Sequence, residues 1–186
     1  MFDKQFTYLR RFLARLRKQE KVGYLLGFVF LGQLPSGCGP KTFDEKMESL
    51  YLHTVPLVTA SELEEKKRTN SQLALLDIRS EKEYETSHIA GAELLDYETF
   101  GRESVAHLAK DAELVVYCSV GYRSERIGEK LIDWGYTNVT NLYGGIFDWK
   151  NNGFAVVDEH GAPTDSVHTY NKKWSKWLYK GIKVYE

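Results

Sequence analysis

Two short and almost continuously apolar runs, at residues 73–78 and 114–117, limit this chain to a small set of folds. Strands of that composition are buried on both faces, which occurs where helices cover both sides of a parallel sheet. Shorter strand-like segments lie at residues 55–58, 92–95 and 139–142, and segments with helical spacing separate them. The alternation predicts an α/β fold in which a parallel sheet of about five strands carries helices on both faces.

The segments between the predicted strands contain signals for the start and end of helices. Thr59 and Glu62 have the spacing of a capping box, and the helix that they open is predicted to end near Arg68. Pro56 cannot donate a main-chain hydrogen bond and therefore favours an edge position for the first strand. Further helices are predicted at residues 81–87 and 104–110, from the loop after residue 118 to about residue 135, and from 144 to 153.

Length and charge leave room for one domain with extensions and exclude few partners. The chain has 186 residues and a formal net charge of -1, which gives no reason to expect binding to nucleic acid. Its two cysteines, Cys38 and Cys118, cannot form a disulfide framework. The histidines do not have the spacing of metal ligands, so no metal site is expected.

Residues 1–40 do not have the pattern of a globular domain. A basic region at residues 1–21 is followed at 23–34 by an uncharged run, shorter than the roughly 20 residues that span a bilayer. This order is typical of a secretory signal. The segment ending in Pro35-Ser-Gly-Cys38 resembles a bacterial lipoprotein signal, although Pro35 departs from the usual pattern. We therefore expect a leader at residues 1–37, lipid attachment at Cys38 and a location on the periplasmic side of a bacterial membrane.

Other interpretations of this leader stay open. It could be an uncleaved membrane anchor, an amphipathic helix on a membrane surface, or an organelle-targeting segment. It could also be an extension with an ordinary free Cys38, in a protein of the cytoplasm.

The domain itself is predicted to span residues 55–158, with a different kind of segment on each side. Residues 38–54 are predicted to be a linker or lid that packs on the domain, and their apolar residues have the spacing of a short helix. The tail, residues 159–186, is predicted to be helical and to dock on the domain, or to bind a membrane surface or a partner. Four large side chains of the tail would share one face of that helix, namely Tyr170, Trp174, Trp177 and Leu178.

The segment most informative about function follows the second buried strand, where the chain passes through a tight turn into a helix. In parallel α/β sheets, ligands bind beyond the carboxyl ends of the strands. The main-chain N–H groups at the start of a helix have no partner within it, so such a turn attracts an anion and stabilises a thiolate. The candidate nucleophile is therefore Cys118, and the candidate anion-binding loop contains Ser119, Val120, Gly121, Tyr122, Arg123 and Ser124.

Three residues of this loop have properties that anion binding needs. Gly121 permits backbone angles that a side chain disfavours. Arg123 is predicted to return over the loop with a planar guanidinium that carries a fixed positive charge. Ser124 is predicted to cap the helix, with a hydroxyl close enough to contact the sulfur.

The pattern Cys-x-x-Gly-x-Arg-Ser at residues 118–124 resembles the active-site loop of rhodanese-like domains. Other motifs of that family have counterparts in the right order, at residues 75–79, 83–84 and 88–92 before the loop and at 135–136, 142–149 and 153–154 after it. The resemblance covers residues 55–158 and implies a rhodanese-like fold for the predicted α/β domain.

The resemblance also implies a sulfurtransferase. Cys118 would take a sulfane sulfur from thiosulfate or a persulfide, hold it as a persulfide and pass it to a thiophilic acceptor. The partners would be a small sulfur-containing donor and a thiol acceptor, with no cofactor. Asp77 and Arg79 match an Asp-x-Arg pattern of the family and are expected to support loops near the site by hydrogen bonds.

Three other interpretations of the loop stay open. The first is a non-catalytic or relay sulfur-carrier module, because Ser119 occupies a position beside the cysteine where the family often has a basic residue. The second is a cysteine-dependent phosphatase or arsenate reductase, although four residues separate Cys118 from Arg123, one fewer than in those loops. The third is a buried structural cysteine, since cysteine is common in protein cores.

Replacement of Cys38 tests the lipoprotein interpretation. The Cys38→Ala variant of the full chain is expected to move from the membrane fraction to the soluble fraction, because it lacks the thiol that would carry the lipid. Fractionation of bacterial cells followed by immunoblotting measures the change. Cys118→Ala is the control and should stay in the membrane fraction, whereas unchanged attachment of Cys38→Ala would reject the lipid interpretation.

Overall fold

The protein is described by a computed structural model that covers residues 39, 40 and 42–185. Its strands include β1 (Leu57–Val58), β2 (Ala74–Asp77), β3 (Glu93–Leu94), β4 (Glu113–Tyr117) and β5 (Asn138–Leu142). These five form one parallel sheet in the order β1-β5-β4-β2-β3. The predicted α/β fold is confirmed, and β1, which follows Pro56, lies at an edge of the sheet as that proline predicted.

Helices cover both faces of the sheet: α1 (Phe43–Glu48), α2 (Ala60–Thr69), α3 (Glu81–Thr86), α4 (Tyr122–Asp133) and α5 (Gly145–Asn151). Each of the first three helices begins with a capping box. The side chain of the cap residue accepts a hydrogen bond from the N–H three residues later, and the glutamate at that later position accepts one from the N–H of the cap residue. The capping box predicted at Thr59 and Glu62 is confirmed.

One predicted helix is wrong. Residues 104–110 do not form an α-helix, and the segment instead contains a 3₁₀ helix at Arg102–Val105. The N–H of Gly101 bonds to the Ser104 hydroxyl at the start of this turn. The carbonyl of Val105 accepts from the Tyr136 hydroxyl, a tertiary contact that a local pattern does not encode.

Successive residues of β4 contribute to apolar clusters on opposite faces of the sheet. Val115 and Tyr117 belong to the cluster that α1, α2 and α5 complete. Leu114 and Val116 belong to the cluster that contains the buried residues of α4. A strand that faces an apolar layer on both sides needs apolar residues at every position, which explains why the run at 114–117 is continuous.

The segment predicted as a linker is part of the core. In α1, Phe43 and Met47 are buried in the same cluster as the residues of α5, and Tyr51 follows them there. Met47 is fully buried. The helical spacing of these residues is confirmed, and so is the prediction that the segment packs on the domain, where it completes one face of the core.

The tail differs from its predicted helix. Two pairs of short strands lie in this region. One is the antiparallel pair β6 (Val156–Val157) and β7 (Pro163–Thr164), and the other is the parallel pair β8 (Ser166–His168) and β9 (Ile182–Val184). Only α6 (Lys172–Ser175) is helical. Trp177 and Leu178 are buried in the core, whereas Tyr170 is exposed. The apolar spacing was interpreted as one helix because strand pairing between distant residues leaves no local signal.

The described residues contain no helix that is both long enough and apolar enough to cross a membrane. The predicted leader at residues 1–37 and the predicted lipid site at Cys38 lie outside the described residues.

The burial of α1 predicts a measurable contribution to stability. Met47→Ala should lower the free energy of unfolding by about 2–5 kcal/mol, because the smaller side chain leaves a cavity in the core. Urea denaturation followed by circular dichroism measures the change. Leu52→Ala is the matched control: this side chain is exposed, and its loss should cost less than about 0.5 kcal/mol. Equal effects of the two substitutions would contradict the packing of α1.

Candidate functional site

Cys118 directly follows β4, at the carboxyl edge of the sheet, and the loop after it leads into α4. Its Sγ accepts a hydrogen bond from the main-chain N–H of Gly121, with 3.2 Å between sulfur and nitrogen. Cys118 is only 1% exposed, yet it lines a pocket of about 550 Å³. The thiol therefore lies at the inner end of a pocket, with a main-chain donor already directed at the sulfur.

The turn at Gly121 depends on a tyrosine from the segment before the sheet. Gly121 has a φ of +86°, and a Cβ there would lie 2.2 Å from the Tyr51 hydroxyl oxygen. That hydroxyl donates to the carbonyl of Val120 at 2.8 Å and accepts from the N–H of Gly144 at 2.8 Å. Burial raises the pKa of Tyr51 far above its ordinary value, so the hydroxyl keeps the proton that it donates. Tyr51 thus joins the loop to the start of α5.

The amino terminus of α5 fixes the carbonyls of the loop. The N–H of Ile146 donates to the carbonyl of Cys118 at 2.9 Å, and the N–H of Phe147 donates to that of Ser119 at 3.2 Å. Because a trans peptide directs its C=O and N–H to opposite sides, the N–H groups of Ser119 and Val120 are turned away from α5. The N–H groups of the first turn of α4 also have no carbonyl partner within that helix. Several main-chain donors are therefore available around the loop.

Arg123 contacts the loop, as predicted, but its guanidinium is also paired with a carboxylate that the sequence analysis did not predict. Its Nη1 and Nη2 donate to the two carboxylate oxygens of Glu83 at 2.9 and 2.7 Å. Nη2 also donates to Oγ of Ser119 at 3.1 Å, and that hydroxyl donates to Glu83 at 2.7 Å. Two side chains of the loop are thus held by a buried acid from α3.

The charge of Glu83 persists in this environment. Burial by itself would raise the pKa of the Glu83 carboxyl, but the hydrogen bonds and charge of Arg123, together with Arg79 and Ser119, outweigh it and bring the pKa to about 2. Burial likewise opposes the charge of Arg123, yet Glu83 and Cys118 raise the pKa of that guanidinium. At neutral pH both members of the pair are ionised.

Ser124 does not have its predicted roles. Its hydroxyl donates to Oδ1 of Asn141 at 2.7 Å rather than to the sulfur, and Nδ2 of Asn141 donates to the carbonyl of Gly121 at 3.0 Å. Gly121, not Ser124, occupies the cap position of α4. Ser124 lies in the first turn with its side chain fully buried towards β5, so the hydroxyl supports the turn from behind.

Asp77 and Arg79 form a fully buried ion pair at the end of β2. Arg79 donates to both carboxylate oxygens at 2.6 to 3.2 Å, and its Nη2 also donates to the carbonyl of Ser87 at 2.6 Å. The pair connects the end of β2 to the segment after α3. Asp77 and Arg79 thereby contact the helix that carries Glu83 and do not line the pocket around Cys118.

Several residues of the site were not predicted from the sequence. Glu83 appeared there only as part of a motif, and its contact with Arg123 joins residues 40 positions apart. Tyr51 and Asn141 had no signal beyond their apolar or strand context. Every residue of the predicted site from Cys118 to Ser124 lines the pocket except Gly121 and Ser124. The other lining residues, from outside the loop, are Leu50, Tyr97, Glu98, Phe147, Tyr170 and Trp174. Among the described residues, no group of three or more histidine, cysteine or acidic side chains is placed to hold a metal ion.

Comparison with known proteins identifies the region that contains this site. The sequence profile of the rhodanese-like domain matches residues 59–152. The "Probable adenylyltransferase/sulfurtransferase MoeZ" of Mycobacterium tuberculosis is 32% identical over 93 residues, which are 50% of this chain and 24% of that protein. The "Thiosulfate sulfurtransferase GlpE" of Coxiella burnetii is 32% identical over 78 residues, 42% of this chain and 72% of that protein. The chain thus spans about a quarter of the length of MoeZ.

A solved structure has the same fold. The crystal structure of a rhodanese-related protein from Thermoplasma volcanium matches with a TM-score of 0.50 and 29% sequence identity, over 56% of this chain and 99% of the other. The helix α1 and the tail after residue 158 lie outside the segment that the domain profile matches.

The low pKa of Glu83 predicts loss of stability in acid. A carboxyl whose pKa is about 2 in the folded state and 4.5 ordinarily contributes about 3 kcal/mol above pH 4.5, and the contribution is lost as the pH falls towards 2. Glu83→Gln should be less stable at pH 7 and should lose less stability over this window than the wild type. Urea denaturation at several pH values measures both effects. Glu81→Gln, an exposed position of the same helix, is the control; parallel acid profiles of wild type and Glu83→Gln would contradict the assignment.

Proposed function

The chain belongs to the rhodanese-like domain family, and we propose that it is a sulfurtransferase in which Cys118 carries a sulfane sulfur as a persulfide. The observation that carries this proposal is the contact of the Cys118 sulfur with the N–H of Gly121, at the inner end of a pocket. A main-chain donor already directed at the sulfur stabilises an anion on it without reorganisation. The family profile matches residues 59–152, which include this loop, and relatives named as sulfurtransferases match 42 to 50% of the chain.

The proposed reaction has two displacement steps. The Cys118 thiolate attacks the outer sulfur of a donor such as thiosulfate, a new S–S bond forms, and the old S–S bond breaks with its electron pair leaving on sulfite. The enzyme then holds a persulfide anion with one negative charge. A thiol acceptor, as its thiolate, removes the outer sulfur and regenerates the Cys118 thiolate. The balance requires no redox cofactor and no metal ion.

The residues around Cys118 support each state of this cycle. The α4 helix, which is 12 residues long, begins beside the sulfur and directs the positive end of its dipole there. The Glu83–Arg123–Ser119 contacts fix the side chains of the loop, and the Ser124–Asn141 contact fixes the carbonyl of Gly121. The loop can thereby keep one geometry while the charge moves from the thiolate to the outer sulfur.

A second candidate function is a sulfur relay or binding module with little turnover of its own. The ion pair of Arg123 with Glu83 favours it, because no uncompensated guanidinium of the loop attracts an anionic donor. Kinetics with several sulfur donors separates the two functions. A sulfurtransferase turns over with a small donor and a thiol, whereas a relay module accepts sulfur from a protein persulfide alone.

Intact-mass spectrometry tests the persulfide. Wild-type protein incubated with thiosulfate, a thiosulfonate or an organic persulfide should gain one sulfur atom, which a thiol reductant removes. Cys118→Ser should gain none, and Cys38→Ser should behave as the wild type. An adduct that persists in Cys118→Ser would show that Cys38 is the reactive thiol. Absence of the adduct with every donor would favour the binding module.

A further inference from the structure

The pocket in front of Cys118 is shaped in part by segments outside the matched domain. Leu50 follows α1, and Tyr170 and Trp174 belong to the tail, while the domain profile covers only residues 59–152. The pocket volume of about 550 Å³ lies within the roughly 300–1,000 Å³ range of sites that hold organic ligands. A small inorganic anion would leave most of that volume empty.

The charged groups of the pocket disfavour an inorganic dianion. Among the residues that line it, Arg123 is the cationic side chain, and its guanidinium is already paired with Glu83. Glu98 also lines the pocket, is exposed, and adds a negative charge. Among these lining residues, a donor with two negative charges, such as thiosulfate, would meet one carboxylate and no cation other than the paired Arg123. The N–H groups of the loop can compensate the single charge that the persulfide itself carries.

The remaining lining residues form an aromatic surface. Tyr97 and Tyr122 come from the domain, whereas Tyr170 and Trp174 come from the tail. Trp174 is partly buried against the core, and the Nζ of Lys46 lies 5.2 Å from the centre of its ring. Lys46 belongs to α1, so this contact joins the tail to that helix. The tail ring is therefore fixed, and aromatic rings bind apolar and aromatic groups without requiring charge on the ligand.

Tyr170 has a backbone conformation that supports a role in the pocket. Its φ is +62°, a region that residues with a side chain rarely adopt. Its N–H donates to Nδ1 of His168 at 3.2 Å. Tyr170 is 58% exposed although it lines the pocket, so core packing does not account for its position. Unfavourable backbone angles at an exposed residue beside a reactive thiol are typical of functional sites.

We propose that this pocket selects sulfur donors whose leaving group carries an uncharged apolar substituent, with an aromatic ring as the best fit. This inference rests on the proposed sulfur transfer, and it specifies the class of donor that the reaction uses. Tyr170 and Trp174 determine this specificity by contact with the apolar group, while Cys118 and the loop N–H groups handle the sulfur. Glu98 disfavours the inorganic dianion.

Benzenethiosulfonate is a suitable probe, because it presents a phenyl ring and one negative charge. The Cys118 thiolate attacks its terminal sulfur, the Cys118 S–S bond forms, and the bond to the sulfonyl sulfur breaks with its electron pair leaving on benzenesulfinate. The charge is balanced, since two monoanions give a persulfide monoanion and a sulfinate monoanion. Thiosulfate gives the same Cys118 persulfide with sulfite as the leaving group.

The test compares second-order rate constants for persulfide formation from the two donors, in wild type and in variants of the tail. Tyr170→Ala and Trp174→Ala should each lower the rate constant with benzenethiosulfonate about 2- to 10-fold and leave that with thiosulfate unchanged. Tyr170→Phe and Trp174→Phe, which keep a ring, should restore most of the loss. Tyr185→Ala is the matched control, an exposed tyrosine of the same tail that does not line the pocket.

Two further measurements isolate charge and binding. Glu98→Gln should raise the rate constant with thiosulfate about 2-fold and that with benzenethiosulfonate less, because the dianion is repelled more strongly. Calorimetry with Cys118→Ser, which cannot react, should detect tighter binding of benzenesulfinate than of sulfite. Tyr170→Ala in that background should reduce the difference.

The outcomes distinguish this inference from the proposed function. If neither donor forms a persulfide on Cys118, the proposed sulfur transfer fails and the donor class fails with it. If both donors react but the ratio of their rate constants is the same in wild type, Tyr170→Ala and Trp174→Ala, the sulfur transfer stands and this inference is overturned. A ratio that falls in both alanine variants and not in Tyr185→Ala supports the inference.

Discussion

The carbonyl of Cys118 accepts a hydrogen bond from the N–H of Ile146, and the geometry of the whole site depends on this contact at 2.9 Å. It requires the start of α5 to approach the loop closely, since a Cβ on Gly145 would lie 2.2 Å from the same carbonyl oxygen. The direction of that carbonyl sets the direction of the next N–H, because the peptide is planar. A helix that contributes no reactive group therefore determines where the donors around the sulfur point.

The ionised side chains Arg123 and Arg79, near the loop, are each paired with a buried carboxylate. Arg123 binds Glu83, and Arg79 binds Asp77. Buried pairs of this kind contribute little net attraction for an outside anion, but removing one partner leaves the other charge uncompensated. The effect of the two ion pairs is to fix the positions of the side chains and backbone segments that they contact. Stabilisation of a sulfur anion is then left to main-chain dipoles and to the start of α4, which remain in place whatever the charge of the sulfur.

The extent to which the sequence predicts this arrangement follows from the range of the interactions. The strands β2 and β4 were predictable because burial on both faces imposes an apolar residue at every position. The cap at Thr59 was predictable because its partners lie three residues apart. The contact of Arg123 with Glu83 and that of Ser124 with Asn141 each join separate elements of the fold, so no local pattern contains them.

The helix predicted for the tail was wrong for the same reason, because contacts between distant residues decide the structure of this segment. Its apolar residues do reach the core, as Trp177 and Leu178 show, but strand pairing between β8 and β9 replaces most of the helix that their spacing suggested. Trp174, between these two strands, lines the pocket, and Lys46 of α1 lies over its ring. The matched domain supplies the loop that begins at Cys118, and the two flanking segments supply Leu50, Tyr170 and Trp174 to the lining of the pocket. Under the donor selection that we propose, two chains with the same loop can differ in donor preference, because Tyr170 and Trp174 lie outside the segment that the family profile matches.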